Sequence, residues 1–165
     1  LFNRLSVNAK SMTFDYEGVT RDVIKDTVTW RDYTFELVDT GGISLRKSTD
    51  EINERVRQLA LKMVEQADVI LLVCDGIVGV TVEDREVAKA CRKLNKKIIL
   101  VVNKADNKAT EEHRYEFEGL GIKPIVFISA LHGSSSSNLF DEVCAALPAP
   151  QPITQEQEVG CKMVI

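Results

Sequence analysis

Short runs of β-branched and other apolar residues alternate along this sequence with segments in which apolar residues recur every three or four positions. The runs occupy residues 35–38, 69–74, 98–102 and 125–128. Short, nearly continuous apolar runs are typical of strands that are buried on both faces, as in parallel sheets. The alternation therefore predicts an α/β fold, in which helices cover both faces of a mostly parallel sheet.

Periodicity and capping residues predict four helices and one hairpin. The helices are expected over residues 52–67, after residue 81, over about 110–119, and over 139–147. Thr81 followed by Asp84 resembles a capping box that opens the second helix. Pro148 ends the fourth helix. Residues 23–30, a two-residue turn, and the residues from Tyr33 onward are predicted to form an antiparallel hairpin.

The composition fits one soluble globular domain. The chain has 165 residues, of which 44% are hydrophobic and 28% are charged, with a formal net charge of −4. No apolar run approaches the roughly 20 residues of a membrane helix, and no secretory pattern opens the sequence. We therefore expect a cytoplasmic protein without a membrane partner. Its four cysteines contain no C-x-x-C pair and are expected to be reduced packing residues. The net charge gives no general argument for nucleic-acid binding.

The apolar run at 98–102 stops abruptly in the polar side chains of Asn103, Lys104 and Asp106. In an open parallel sheet, ligands bind at the carboxyl ends of the strands. The Asp106 carboxylate can accept two parallel N–H bonds, which matches the N1–H and 2-amino edge of guanine but not the edge of adenine. The Asn103 amide can reach a purine acceptor or tie neighbouring loops together, and the Lys104 stem can lie along a purine face. The same residues would also suit a solvated turn at a strand exit.

Two further polar segments suggest phosphate and metal binding. Asp39 and Gly42 lie in an Asp-Thr-Gly-Gly segment that follows a predicted strand. A carboxylate there can hold a water bound to Mg²⁺, and a glycine lets a backbone N–H approach a phosphate oxygen. An ordinary turn has the same composition. Thr20, in the segment Gly-Val-Thr-Arg-Asp, could give its hydroxyl to Mg²⁺.

A loop of small residues follows the fourth predicted strand. Ser129, Ala130 and Leu131 lie there, and their backbone N–H groups could meet a carbonyl oxygen such as O6 of guanine; a simple turn is the alternative. His113 and His132 are expected to be structural or solvated, because neither has a sequence partner for a catalytic triad or a metal site.

The joint occurrence of these segments identifies a family. Their order and rough spacing are those of small G proteins, and the sequence resembles the first G domain of the Der (EngA) ribosome-assembly GTPases, within the TrmE-Era-EngA-like GTPase family. The resemblance covers essentially residues 1–147. It is carried by the segments "LFNRL", "GVTRD", "LVDTGGI", "ADVILLVCDGIVGVTVED", "VVNKAD", "EGLGIKP" and "ISALHG".

The resemblance implies a P-loop NTPase-like G domain with a six-stranded sheet, and a role for each matching residue. Thr20 is expected to be the Mg²⁺ ligand of switch I, Asp39 to hold a Mg²⁺-bound water, and Gly42 to sense the γ-phosphate. The guanine-reading residues are expected to be Asn103, Lys104 and Asp106, backed by Ser129, Ala130 and Leu131.

The implied reaction converts GTP to GDP and phosphate. Ile43 stands where Ras-like proteins place a water-orienting glutamine, so no residue is assigned as the catalytic base. Hydrolysis is expected to rely on Mg²⁺ and a monovalent cation such as K⁺. The implied partners are GTP and GDP and, through the parent protein, the large ribosomal subunit.

One motif of the family is missing, because the sequence contains no G-x-x-x-x-G-K-[ST] segment. The first residues of the sequence resemble the segment that follows this P-loop in the family, and "KMVI" at 162–165 resembles the strand that precedes it. We expect a G domain lacking its P-loop over residues 1–147, a linker over 148–161, and a strand over 162–165 that completes the sheet. A circular permutation, a fragment that reaches into a second G domain, and residues beyond both ends of the sequence remain open as explanations.

The tail carries a further expectation. Met163, Val164 and Ile165 are predicted to fill the central slot of the parallel sheet, since an empty slot would leave two strands without partners. The tail could turn back into its own domain or exchange into a neighbour's, giving a strand-swapped homodimer.

Without a P-loop the chain is expected to bind nucleotide poorly and to turn over little or none. The alternative function is a nucleotide-free scaffold or interaction module that keeps the G fold. A flavodoxin-like receiver domain is a weaker alternative, against which the Asn-Lys-x-Asp and Ser-Ala segments argue.

Overall fold

The computed structural model describes residues 1–6, 12–14, 23–40, 51–149 and 162–164. These residues form one seven-stranded sheet in the order β1-β2-β3-β7-β4-β5-β6. Its strands are β1 (Met12–Phe14), β2 (Val23–Trp30), β3 (Tyr33–Asp39), β4 (Val69–Asp75), β5 (Lys97–Asn103), β6 (Ile125–Phe127) and β7 (Lys162–Val164). The pairs from β3 through β7, β4 and β5 to β6 are parallel, and β2 is antiparallel to both of its neighbours. The predicted α/β fold with a mostly parallel sheet is confirmed.

The described sheet has one strand more than the predicted six. The additional strand is β1, which pairs with β2 at the edge of the sheet over three residues, from Met12↔Lys25 to Phe14↔Val23. A run of three residues is too short for a periodicity to be read from the sequence.

Six helices lie in the described part of the chain. They are α1 (Phe2–Leu5), α2 (Glu51–Gln66), α3 (Val82–Arg92), α4 (Ala109–Glu112), α5 (Arg114–Glu118) and α6 (Ser136–Ala146). The predicted capping box opens α3: the Thr81 hydroxyl accepts the Asp84 N–H at 3.1 Å, and the Asp84 carboxylate accepts the Thr81 N–H at 2.8 Å.

The third predicted helix is not continuous. The segment predicted as one helix over about 110–119 forms the two short helices α4 and α5, which meet at His113 with φ −90° and ψ 0°. Glu116 links His113 to the loop after β4, because Glu116 Oε1 lies 2.8 Å from His113 Nδ1 and Glu116 Oε2 accepts the Val80 N–H at 3.3 Å. This contact to another loop is not visible in the helical period of the segment itself.

Both faces of the sheet are covered. Leu71 of β4 packs in one buried cluster with Phe2 of α1 and Leu139 of α6. Its neighbour Leu72 packs in another cluster with Ala88 of α3. Because successive side chains of a strand point to opposite faces, these clusters lie on the two sides of the sheet. A third cluster adds α2 to the face that α3 covers.

Strand β7 lies in the middle of the sheet. Met163 pairs in parallel register with Leu37 on one side and with Val69 on the other, and all three side chains are fully buried. The start of the strand is held by Asp68, whose carboxylate accepts the Lys162 N–H at 2.8 Å and whose N–H donates to the Lys162 carbonyl at 2.9 Å. Lys162–Val164 thus form a core strand.

Ile165 and the chain from residue 150 to 161 lie outside the described residues. The boundaries 1–147, 148–161 and 162–165 therefore stay a prediction. In the structure β7 completes the sheet of its own chain, and the described residues give no support to a strand-swapped dimer.

Two expectations from composition can be compared with the structure. Cys74, Cys91 and Cys144 are buried free thiols, as predicted for packing residues, and Cys161 lies outside the described part. Among the described helices, none combines the length and apolar character needed to cross a bilayer.

Candidate functional site

The predicted site residues that the structure describes lie at one edge of the sheet. The parallel register pairs Asp75, the last residue of β4, directly with Asn103, the last residue of β5. The loop after β6 joins them, because Ala105 N–H donates to the Ile128 carbonyl at 2.9 Å. The loops after three neighbouring strands therefore meet at this edge.

Asn103 ties two of these loops together. Its side-chain Oδ1 accepts the Ala130 N–H at 3.0 Å, and its carbonyl accepts the Gly76 N–H at 2.7 Å. Of the two roles predicted for the Asn103 amide, the structure contains the tie between loops. This bond also engages the Ala130 N–H, one of the backbone donors predicted to meet a carbonyl oxygen of the base.

Both the backbone and the side chain of Lys104 are held in place. Its backbone has φ +64°, in the left-handed region, and its carbonyl accepts the Thr110 hydroxyl at 3.1 Å. Its Nζ donates to Asp75 Oδ2 at 2.5 Å. The side chain is 53% exposed, so its stem stays accessible while its ammonium is anchored.

Asp75 is a residue of this edge that the sequence analysis did not select. While Oδ2 accepts the Lys104 ammonium, Oδ1 accepts the Ile77 N–H at 2.9 Å and, less closely, the Val78 N–H at 3.4 Å. The hydrogen bond from Lys104 is the main reason why the pKa of Asp75 lies below its usual value. Its position after an apolar run, equivalent to that of Asn103, is the signal that could have identified it.

Gly76 allows the two loops to approach each other. A Cβ atom at this position would lie 2.6 Å from Thr110 Oγ1 and 2.8 Å from the Asn103 carbonyl oxygen. Any side chain would therefore push apart the loops that follow β4 and β5. The glycine is required here by close approach.

Asp106 is prepared as an ionised acceptor. A hydrogen bond from the Ser129 side chain is the main cause that lowers the pKa of Asp106, followed by the backbone N–H of Asp106 itself. His132 adds to this effect, with Nε2 at 3.5 Å from Oδ2. The carboxylate remains 44% exposed, so a ligand can reach it.

The loop after β6 holds the Asp106 carboxylate through Ser129. Ser129 is a buried polar residue, and its Oγ accepts the His132 N–H at 3.3 Å while its carbonyl accepts the Gly133 N–H at 2.7 Å. Leu131 projects outward and is 83% exposed. Ser129 thus orders the loop, and the Leu131 side chain is left at the surface beside it.

The predicted phosphate end of the site is only partly described. Asp39 is the half-buried last residue of β3, at the same edge of the sheet. Thr20, Gly42 and Ile43 lie outside the described residues.

A Mg²⁺ site of the predicted kind needs few protein ligands. Within the part of the chain that the structure describes, no group of three or more His, Cys, Asp or Glu side chains is arranged to hold a metal ion. Mg²⁺ is usually bound through one or two carboxylates together with waters and substrate phosphates. A single carboxylate such as that of Asp39 fits this mode of binding.

Comparison with known proteins gives matches to GTPases, as the sequence motifs predict. Residues 1–104 match the family model of the 50S ribosome-binding GTPase. The chain is 42% identical over 155 residues to GTPase Der of Symbiobacterium thermophilum, with 92% of this chain and 33% of the relative covered. It is 44% identical over 153 residues to GTPase Der of Halothermothrix orenii, covering 92% of this chain and 35% of that protein. The chain thus spans about one third of the length of these relatives.

Solved structures show the same architecture. Era of Aquifex aeolicus, solved with GDP and AlF4⁻, aligns with a TM-score of 0.75 at 27% identity, covering 95% of this chain and 55% of Era. The G domain of FeoB from T. maritima aligns with a TM-score of 0.69 at 28% identity, covering 88% of this chain and 87% of that domain. The resemblance predicted from the sequence is confirmed by these matches, and the chain belongs to the 50S ribosome-binding GTPase family.

Proposed function

We propose that this chain is the guanine-nucleotide-binding domain of a Der-type GTPase, which hydrolyses GTP to GDP and phosphate. The observation that carries the proposal is the Asp106 carboxylate, kept ionised and accessible at the end of β5 beside Lys104. An ionised carboxylate, whose two oxygens are both acceptors, suits the paired N–H donors of guanine. Adenine lacks that donor pair and would leave the acceptor unsatisfied.

The distance between Asp39 and the end of β5 suits a nucleotide that spans the proposed site. Three strand steps lead from β3, which ends at Asp39, through β7 and β4 to β5, which ends at Asn103. At the usual strand spacing this is about 14 Å. A nucleotide could therefore place its base at Asp106 and its terminal phosphates toward Asp39. Asp39 would then hold a Mg²⁺-bound water, with Thr20 as a direct ligand and Gly42 as the γ-phosphate contact.

Hydrolysis in this proposal depends on positioning rather than on a side-chain base. Mg²⁺, when bound, neutralises charge on the phosphate oxygens. Ile43 has no polar group with which to orient water, so we propose that a monovalent cation such as K⁺ contributes in its place. Because the sequence contains no P-loop motif, we expect weak binding and little turnover from these 165 residues alone.

The cellular role follows from the relatives. The matched family is described as 50S ribosome-binding, so we propose that the parent protein acts in assembly of the large ribosomal subunit, in the cytoplasm. The alternative, a nucleotide-free scaffold, is favoured by one observation: Asn103 and Lys104 already bond within the protein.

The test is a titration with fluorescent GDP and XDP in Mg²⁺ and K⁺. It uses the 165-residue chain and any longer gene product that contains it. Asp106→Asn should reduce GDP affinity by roughly tenfold or more and shift preference toward XDP, whose position 2 carries an oxygen instead of an amine. Glu112→Gln, which removes one exposed carboxylate from α4, is the matched control and should leave both affinities unchanged.

The outcomes separate the candidates. An unchanged preference for GDP in the Asp106→Asn variant would exclude Asp106 as the base-reading residue. Absence of GDP binding by every unmutated form would favour the scaffold.

A further inference from the structure

We propose that Asp75 is a positioning residue for nucleotide binding, which fixes the Lys104 side chain so that its stem can lie along the purine. This inference rests on the proposed function. It assigns a role to the carboxylate at the end of β4, whose two oxygens hold the Lys104 ammonium and the following turn.

The contact is short and directed. Lys104 Nζ lies 2.5 Å from Asp75 Oδ2, and the hydrogen bond between them joins an ammonium to a carboxylate, so it is charge-assisted. The Asp75 carboxylate is itself oriented, because Oδ1 accepts the Ile77 N–H at 2.9 Å. An acceptor fixed by a backbone donor can hold a flexible ammonium in one place.

The backbones of both residues are fixed as well. Asp75 is paired in register with Asn103, the residue before Lys104, and Gly76 N–H donates to the Asn103 carbonyl at 2.7 Å. The Lys104 carbonyl is held by the Thr110 hydroxyl. The carboxylate and the ammonium therefore approach each other from two backbones that are already joined.

The functional consequence concerns entropy. A lysine side chain loses a large amount of rotamer freedom when it becomes ordered. If that freedom is already restricted before the ligand arrives, less is lost on binding, and affinity increases without any new contact. Asp75 would thereby strengthen binding of purine nucleotides without touching the base.

This role predicts a pattern that differs from that of Asp106. Because a stem lying on a purine face does not read the base edge, loss of Asp75 should weaken GDP, IDP and XDP by similar factors. Loss of the Asp106 carboxylate should instead change the ratio between GDP and XDP. The two residues can be separated by base preference alone.

The experiment compares two substitutions of Asp75. Asp75→Asn keeps an oxygen that can accept the Ile77 N–H but removes the charge that holds Lys104, whereas Asp75→Ala removes both. We expect Asp75→Asn to weaken all three nucleotides about two- to tenfold with an unchanged GDP-to-XDP ratio, while Glu112→Gln remains at the unmutated value. If Asp75 only shaped the turn, Asp75→Asn would bind normally and Asp75→Ala alone would be impaired, which would overturn the inference. Tighter binding by Asp75→Asn would overturn it too.

A second measurement does not need nucleotide. Acylation of lysines is followed by mass spectrometry, with the neighbouring exposed Lys108 as the internal reference. Lys104 should be several-fold more reactive in Asp75→Asn than in the unmutated chain, and Lys108 should not change. Equal reactivity of Lys104 in both proteins would refute the contact. Failure of every unmutated form to bind GDP, with Lys104 still protected, would refute the proposed function instead.

Discussion

Replacement of Met163 by alanine tests whether the tail strand is a structural part of the domain. Met163 is fully buried between Leu37 of β3 and Val69 of β4, and it belongs to the main buried cluster of the protein. The substitution removes most of a side chain at the centre of the sheet. It leaves the backbone pairing of β7 chemically intact.

The expected loss of stability is large. Truncation of a buried methionine to alanine costs about 2–5 kcal/mol, because both the transfer free energy and the packing around the cavity are lost. We expect the upper half of that range here, since strands flank Met163 on both sides and can relax little toward it. Typical domains have a total stability of about 5–15 kcal/mol. The variant should therefore be folded but marginal.

Urea unfolding and thermal melting would measure the effect. With a urea m-value of about 2 kcal/mol/M, the middle of the usual range, the midpoint should fall by about 2 M, and the melting temperature by about 7–20 °C. Lys162→Ala, in the same strand but with a half-buried side chain, is the control and should cost less than about 1 kcal/mol. Equal midpoints for Met163→Ala and the unmutated chain would show that β7 does not stabilise the domain.

Two further predictions concern the end of β4 and the loop that follows it. Gly76→Ala would bring a Cβ to 2.6 Å from Thr110 Oγ1 and 2.8 Å from the Asn103 carbonyl, so it should lower the free energy of unfolding in urea by about 1–3 kcal/mol. The control Gly119→Ala, whose nearest contact would be 3.2 Å, should lower it less. A larger loss for Gly119→Ala than for Gly76→Ala would contradict the packing argument. Cys74 should resist iodoacetamide at pH 8, because burial raises the pKa of its thiol to about 12, with a smaller effect of the nearby Asp84. Rapid labelling of Cys74 under native conditions, measured by mass spectrometry, would show that this part of the core opens readily.

The major strands were predictable because each is encoded locally. The runs at 69–74 and 98–102 fill most of β4 and β5, and their apolar character reports burial on both faces. The capping box at Thr81 was equally local, since both hydrogen bonds join residues three apart. By contrast, β1 is defined mainly by its pairing with β2, and such pairing has no signature within three residues.

The geometry of the candidate site could be predicted only in part, for a similar reason. Asn103, Lys104 and Asp106 follow one another in the sequence, so their shared strand end was visible. Asp75 lies 29 positions from Lys104, and its role depends on the parallel register that places β4 next to β5. The commitment of the Ala130 N–H to Asn103 was also not visible, because it depends on the approach of two loops that are distant in sequence.

Strand β7 divides the sheet into two parts, and each part carries a different end of the proposed site. On one side, β4 and β5 pair over seven residues, from Val69↔Lys97 to Asp75↔Asn103, and carry the edge that we propose reads the base. On the other side, the hairpin of β2 and β3 carries Asp39 and reaches β4 only through β7. The register of β7 extends over three residues with β3 and two with β4. The alignment of the proposed base-reading edge therefore depends on the long β4–β5 pairing. The placement of Asp39 relative to that edge depends instead on the short strand β7, which is held by the burial of Met163 and by Asp68.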